Sequence, residues 1–581
     1  MMKLSRYLPI LASLKGYDRG LLARDLIAAL VVTIMLIPQS LAYALLAGVP
    51  PQVGLYASML PLLAYALFGT SRTLSVGPVA IASLMTAVAL KDVAEQGTSD
   101  YLTAAIVLAL LSGILLMAMG ALRLGVLANL LSHSVVSGFI TASAVIIALS
   151  QMKHILGVSA HGDTLLELVP SLLEELPQTG MLTLGIGVAV ILFLLFARRQ
   201  LARLLVRLGV SAHVAGLLAK AAPVLSVIAT ILVVYLLRLD LQGVAVVGEV
   251  PQGLPVPGLP VVSMALVGQL LVPALVISII GYVESISVGK TLAARHRQRI
   301  DSDQELIGLG AANVASAVSG GFPVTGGFSR SVVNYDAGAA TQLAGVMTAI
   351  GIALTAMYLT PWLFYLPRAT LAATIVVAVL ALIDVSIFRD TWRLSTGDFI
   401  AVLVTVIGTL FFGVEAGVAA GVVTSLGLHL YHATKPHITE VGLIAGTEHF
   451  RNVDRHAVQT HPEIFSLRID ESLFFANAGY LEDFILARLQ SDRQIRHVIL
   501  MCSAINEIDF SALEMLEALN VSLAELDIAF HLSEVKGPVL DAIKPSAFMA
   551  ELSGQIFLSQ YQAFKTVASL VSVNEDGRSG L

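Results

Sequence analysis

Apolar residues fill the larger part of this chain in long blocks separated by short polar breaks, and then the texture changes. From about Asp25 to His432 the blocks follow one another at roughly the length of membrane-crossing helices. About fourteen spans can be marked, beginning near Leu26, Gln52, Gly77, Tyr101, Leu130, Met181, Ala222, Val262, Gln304, Phe328, Gln342, Thr370, Asp398 and Glu415. Several are shorter than the ~20 residues that a straight crossing needs. Ahead of them a short apolar run, Leu8 to Leu14, is closed by Lys15 and Asp18 and predicts an interfacial helix rather than the core of a signal peptide. After Lys435 charged residues become frequent, and the boundary is placed near Pro436. The expected division is an N-terminal segment (1–24), a membrane region (25–435) and a linker with a soluble domain (436–581).

In the last region the pattern alternates strand and helix. Glu463 to Ile469 has strand alternation and Arg496 to Cys502 reads as a buried strand, with a third strand from Asp527 to Leu532. Between and after them, helices are predicted over Ala478 to Leu489, Ser511 to Leu523 and from Pro538 to Ile543. Such alternation predicts a mostly parallel sheet.

Composition narrows the function. Of 581 residues 56% are hydrophobic and 13% charged, against about 25% charged in soluble domains. The single cysteine, Cys502, excludes an internal disulfide and speaks against a cysteine-based metal site. There is no HExxH, CxxC or GxSxG. Val288-Gly-Lys-Thr291 resembles the end of a phosphate-binding loop, but Glu284 and its neighbours stand where the upstream glycine belongs, and the run ends a membrane helix instead of following a strand. Neither an enzyme nor an ATP-driven pump is indicated, and no cofactor, metal or nucleic acid is expected. With the N-terminus inside, eighteen lysines and arginines fall in the expected cytoplasmic segments and only Lys91, Lys153, Arg238 and Arg368 outside. That bias predicts cytoplasmic termini at both ends.

Two spans are not plain apolar helices. One is Thr73-Leu-Ser-Val-Gly-Pro-Val-Ala-Ile-Ala-Ser-Leu84 and the other Gly320-Gly-Phe-Pro-Val-Thr-Gly-Gly-Phe-Ser-Arg-Ser-Val-Val-Asn334. They are the third and tenth spans, equivalent positions if the chain is two repeats of seven, and interrupted spans at matching positions point to a transporter site. A helix that starts in mid-membrane leaves its first N–H groups unpaired and carries about +0.5 charge there. Two such ends facing one another form an anion site. Arg330, just inside the second, adds a full positive charge, although it could instead only pair with a carboxylate such as Glu284. Glu284 itself lies in an otherwise apolar run. Burial favours the protonated form of a carboxylate, which makes it a candidate proton carrier.

Ile37-Pro-Gln-Ser-Leu-Ala-Tyr-Ala44, Ala47-Gly-Val-Pro-Pro-Gln-Val-Gly-Leu-Tyr56, Ser75-Val-Gly-Pro-Val-Ala80, Ser132-His-Ser-Val-Val-Ser-Gly-Phe139 and Phe328-Ser-Arg-Ser-Val-Val-Asn334 resemble, in order, the signatures of the SulP or sulfate permease family, which includes the animal anion exchangers and prestin. The resemblance implies a polytopic α-helical membrane protein of about 14 segments in a 7+7 inverted repeat like that of the uracil permeases, with a mobile core that holds substrate and a gate that binds little. It implies an anion between the third and tenth helix ends, lined by Gln39 and Tyr43, with backbone N–H groups of Val79 and Ala80 on one side and Ser329 and Arg330 on the other. Glu284, where sodium-coupled relatives tend to carry Asp, favours proton coupling or exchange. A homodimer in the inner (cytoplasmic) membrane is implied as well. Arg468-Ile-Asp-Glu-Ser-Leu-Phe-Phe-Ala-Asn-Ala478 and Ile508-Asp-Phe-Ser-Ala512 resemble the STAS domain, whose soluble members are phosphorylated on a serine at the place of Ser511; here Ala512 replaces the glycine that follows, and Asp509 or Ser511 equally suits a helix cap. The leading expectation is a secondary transporter of a small inorganic anion, sulfate first. A bicarbonate or dicarboxylate carrier, an uncoupled anion channel and a membrane-anchored regulatory scaffold stay open.

Overall fold

The computed structural model describes residues 8–14, 16–129, 132–162, 164–258, 260, 262–295 and 297–578. The chain divides into two compact units, Met1–Ser425 and Leu426–Leu581.

Among the described residues seven helices are long and apolar enough to cross a membrane: α1 (Arg19–Leu46), α2 (Pro51–Phe68, with a turn at 57–59), α4 (Ser99–Ala121), α5 (His133–Leu156), α6 (Met181–Arg207), α8 (Met264–Arg295) and α14 (Val414–Thr434). Five shorter apolar helices accompany them: α3 (Ala80–Lys91), α7 (Ala222–Leu237), α11 (Leu343–Tyr358), α12 (Arg368–Val379) and α13 (Thr396–Phe412). Two less apolar helices complete the series that positions the site, α9 (Ser302–Val318) and α10 (Phe328–Asp336), and shorter helices lie at Leu165–Glu175, Ala212–Lys220 and Ser386–Leu394. Among the described residues a helix lies at or close to the predicted starts other than Leu130, although only seven of these helices are long and apolar enough to cross a membrane. The predicted start at Leu130, and the basic residues Lys3, Arg6 and Lys15, lie outside the described residues. The run before α1 contributes a single turn of helix, Ile10–Ser13.

Packing sorts these helices into two groups. Helix α9 lies along α4 and α2, α8 along α4, and α11 along α1, whereas α5 packs against α12 and α13, and α6 against α12. The α4–α9 approach is close because it runs over glycines. A Cβ on Gly113 would stand 2.9 Å from the carbonyl oxygen of Gly310, and one on Gly310 would stand 2.8 Å from that of Gly113. Small residues at such crossings let helices associate in lipid, where no hydrophobic force pulls them together.

The second unit is built on a sheet of order β4-β3-β5-β6-β7-β8: β3 (Ile438–Leu443), β4 (Phe450–Asn452), β5 (Ile464–Ile469), β6 (His497–Met501), β7 (Ala529–Ser533) and β8 (Ile556–Phe557). Strands β5 to β8 are parallel, as the alternation predicts; β3 is antiparallel to both its neighbours. Successive residues of β6 face opposite sides. Val498 and Leu500 pack with Leu481 and Ile485 of α15 (Ala478–Ser491) and Leu516 and Leu519 of α16 (Phe510–Glu525). Ile499 packs on the other side with Ala563 and Val567 of α17 (Gln560–Arg578). Asp509 is the cap of α16: one carboxylate oxygen accepts from Ala512 N at 2.8 Å and the other from Phe475 N at 2.8 Å. Ser511 is exposed in the first turn of that helix.

Cys502 follows β6 and is buried, with its thiol pushed up to about 12 by burial. Because the thiolate is the reactive form, the folded protein should resist maleimide at pH 7.5 and react stoichiometrically after unfolding. As there is one cysteine, mass spectrometry of the intact chain reads the outcome directly. Full labelling of the native protein would place Cys502 at the surface.

Candidate functional site

The two interrupted spans meet. Ahead of α3 and α10 the chain is extended, and the two lead-ins pair as short antiparallel strands, β1 (Val76–Gly77) and β2 (Thr325–Gly326), with Val76 opposite Gly326 and Gly77 opposite Thr325. Further bonds lengthen the tie: Gly327 N donates to Ser75 O at 3.0 Å, Ser75 N to Ser331 Oγ at 2.9 Å, and Asn334 Nδ2 to Thr73 O at 3.0 Å. Extended backbone in a membrane must find all its hydrogen bonds inside the protein, and Gly and Pro keep these stretches from continuing a helix.

Each helix then starts from an extended residue, Val79 for α3 and Gly327 for α10, and neither start has a side-chain cap. The first N–H groups of both helices are thus open to a ligand. Between them lies a cavity of about 50 Å³. A single water needs roughly 10–15 Å³ on this measure, so the space suits a small polyatomic ion. The cavity gathers all seven residues singled out from the membrane region: Gln39 and Tyr43 from α1, Val79 and Ala80, Glu284 from α8, and Ser329 and Arg330. Ala378 and Val379 of α12, with Leu382 beyond it, form a facing apolar wall. Ser511 belongs to the other unit and is not part of this site.

Arg330 is only 2% exposed. Its Nη1 donates to the carbonyl of Pro78 at 2.7 Å, and its Nη2 is buried without a partner. Among the described residues it forms no ion pair within 4 Å, with Glu284 or any other acid. Two glycines make room for it. A Cβ on Gly327 would lie 2.8 Å from Nε and Nη2, and one on Gly77 3.2 Å from Nη1.

Two further buried acids escape sequence reasoning. Glu305, in the first turn of α9 and 1% exposed, accepts from Tyr65 Oη at 2.7 Å, from the backbone and hydroxyl of Thr70 at 2.6 Å each, and from Ser71 N at 3.0 Å. Asp25, on α1, accepts from Ala340 N at 2.7 Å, Thr341 N at 3.1 Å and Thr341 Oγ1 at 2.5 Å. One acid holds the chain just before β1, the other the chain just after α10. Apart from Tyr17, whose hydroxyl donates to Asp25 Oδ2 at 3.2 Å, these partners are 234 to 316 positions away in sequence, so no local pattern marks the two acids.

A bundle of apolar helices that turns two helix ends and a buried arginine onto one internal cavity is the architecture of an anion transporter, not of an enzyme. The sulfate permease family model matches residues 22–405, and a STAS domain matches residues 455–565. The chloroplastic sulfate transporter 4.1 of Arabidopsis thaliana is 36% identical over 546 residues, covering 91% of this chain and 78% of that one. High affinity sulfate transporter 1 of Stylosanthes hamata is 30% identical, covering 96% and 85%. The chain belongs to the sulfate permease family and is a multi-pass membrane protein. Among solved structures, the murine solute carrier 26 family member A9 anion transporter in its inward-facing state superposes with a TM-score of 0.88 at 23% identity, over 98% of this chain and 95% of that one. The transmembrane domain of the cyanobacterial bicarbonate transporter BicA gives 0.57 at 20% identity, over 71% and 98%. These two likenesses show the fold.

Replacing Glu305 by Gln turns one acceptor toward donors as an NH2 group. Leaving buried donors unpaired costs about 1–3 kcal/mol. Glu305→Gln should therefore lower the thermal unfolding midpoint of the detergent-solubilised protein by several degrees. An unchanged midpoint would mean that Glu305 does not tie the 70–71 segment.

Proposed function

We propose that the protein carries sulfate across the membrane, held between the N-termini of α3 and α10 with Arg330 as its cationic partner. One observation carries this reading: the buried guanidinium, with no acid within 4 Å among the described residues and an unpartnered Nη2, beside a cavity that two uncapped helix ends also face. Two helix ends of about +0.5 each and one guanidinium sum to roughly +2, which suits a dianion. The relatives named as sulfate transporters support the same choice. In this reading the backbone N–H groups of Ala80 and Ser329, the Ser329 hydroxyl, and the side chains of Gln39 and Tyr43 supply hydrogen bonds, while Arg330 supplies charge.

Glu284 completes the charge balance. When ionised it lowers the positive sum in the cavity to about +1; when protonated it restores the match to a dianion. Binding of sulfate would then draw a proton onto Glu284, and the pair would cross together. This makes the transporter a proton-coupled secondary carrier. The excess of lysine and arginine in alternate loops supports cytoplasmic termini, and the reading places the protein as a homodimer in the inner (cytoplasmic) membrane.

Arg330→Ala removes the charge and its donors but leaves both helix ends. Loss of a charged hydrogen-bonding partner at about 1.5–3 kcal/mol should weaken sulfate binding by about tenfold to a hundredfold, measured by titration calorimetry on monodisperse protein. Coincident isotherms for mutant and parent would sink the assignment.

Glu284→Gln keeps the shape of the protonated acid but releases no proton. In proteoliposomes we expect sulfate–sulfate exchange to persist and accumulation driven by an inward proton gradient to disappear. A mutant with the parent's dependence on external pH would move the proton elsewhere. Loss of exchange as well as uptake would make Glu284 a structural residue.

A further inference from the structure

The STAS unit holds a polar cavity of about 350 Å³, lined by Arg451, Arg455, Arg468, His437, His456 and Asp470, with Asn452 among them. Sheet topology brings these residues together. Because β3 runs antiparallel to both neighbours, its start lies beside the end of β5, with Thr439 opposite Arg468, and Asn452 at the end of β4 lies opposite Val441. The turn that follows β4 carries Arg455 and His456 to the same place.

The acids here are already engaged. Asp470 accepts from Arg468 through Nε at 2.5 Å and Nη2 at 3.1 Å, and from His437 Nδ1 at 2.9 Å. Burial works to raise its carboxyl, but the bonds from Arg468 and His437 outweigh it and hold the group below the usual carboxylate range. Glu440 of β3 is paired with Arg488 at 3.2 Å. Asp454 and Glu448, close in sequence, do not line the cavity. Arg451 gives Nη1 only to its neighbour's carbonyl, Phe450 O, at 3.0 Å. Among the described residues neither Arg451 nor Arg455 has an acidic partner. Two guanidinium groups thus line this recess without an acidic partner, beside the amide of Asn452 and the ring of His456.

We propose that this recess binds a phosphate-type polyanion with two or more oxyanion groups, either free or presented on a lipid headgroup. Planar forks pair bidentately with phosphate oxygens, and the recess is several times larger than the membrane cavity of about 50 Å³, so it admits more than one tetrahedral group. The site is separate from the transport cavity in chain and in chemistry, since it uses surface arginines where the other uses helix ends.

The test is calorimetric titration of inorganic pyrophosphate into the full-length protein held in phosphatidylcholine nanodiscs. Binding should be at least about tenfold weaker in Arg451→Ala/Arg455→Ala, the size expected for losing charged bidentate pairs. Lysine at both positions should recover part of it, and Arg330→Ala should leave it intact. Repeating the titration in nanodiscs doped with phosphatidic acid separates the sources. Weaker pyrophosphate binding there means that headgroups compete for the recess, and unchanged binding means that the ligand is free in solution. The proposal is overturned if the parent protein takes up no pyrophosphate, if the double alanine variant binds as the parent does, or if Arg330→Ala abolishes binding.

Discussion

A buried guanidinium with no carboxylate within ion-pair distance is an expensive thing to keep in a membrane protein, and the two interrupted spans are shaped around it. Arg330 keeps one bond, to the carbonyl of Pro78, and that bond crosses from one half-helix to the lead-in of the other. Gly77 and Gly327 leave out the side chains that would collide with it. The helix ends on either side add positive potential in place of relief. In the proposed reading an anion supplies the partner that Arg330 Nη2 lacks within the protein.

What holds this arrangement is mostly backbone. Carboxylates buried in lipid-facing bundles usually seek cations, but Glu305 and Asp25 are satisfied by amides and hydroxyls. They act as fastenings for irregular chain, the one near the entry to β1 and the other near the exit of α10. With no water to accept or donate, each amide in those stretches has to be matched within the protein, and a carboxylate, with up to four acceptor positions, matches several at once.

The parts of this molecule that were legible in the sequence are those with a local signature. Long apolar runs mark the helices of the membrane region, Gly and Pro inside two of them mark the half-helices, and an arginine amid apolar residues marks the cavity between them. In the STAS unit, alternation over 463–469 and the helical patterns at 478 and 511 were read to within about two residues. The unread parts depend on distant partners. Nothing near Glu305 says that it will meet Thr70, and the antiparallel strands β3 and β4 lie in polar sequence that reads as a linker. The two-residue strand β8 and the C-terminal helix α17, whose amphipathic pattern is weak, likewise take their form from the sheet they cover.

The cavity has one wall of donors and one of hydrocarbon, and this has a mechanical consequence. A carrier must slide one surface past another many times each second or minute. Had Ala378, Val379 and Leu382 been hydrogen-bonding residues, each stroke would break and remake bonds, with a barrier at every step. An aliphatic face offers only weak, non-directional contacts of about 0.1–0.2 kcal/mol per atom pair, which exchange smoothly as the neighbours move. In the proposed reading the cargo stays bonded to the body that β1 and β2 join, and the opposite side acts as a bearing of low friction.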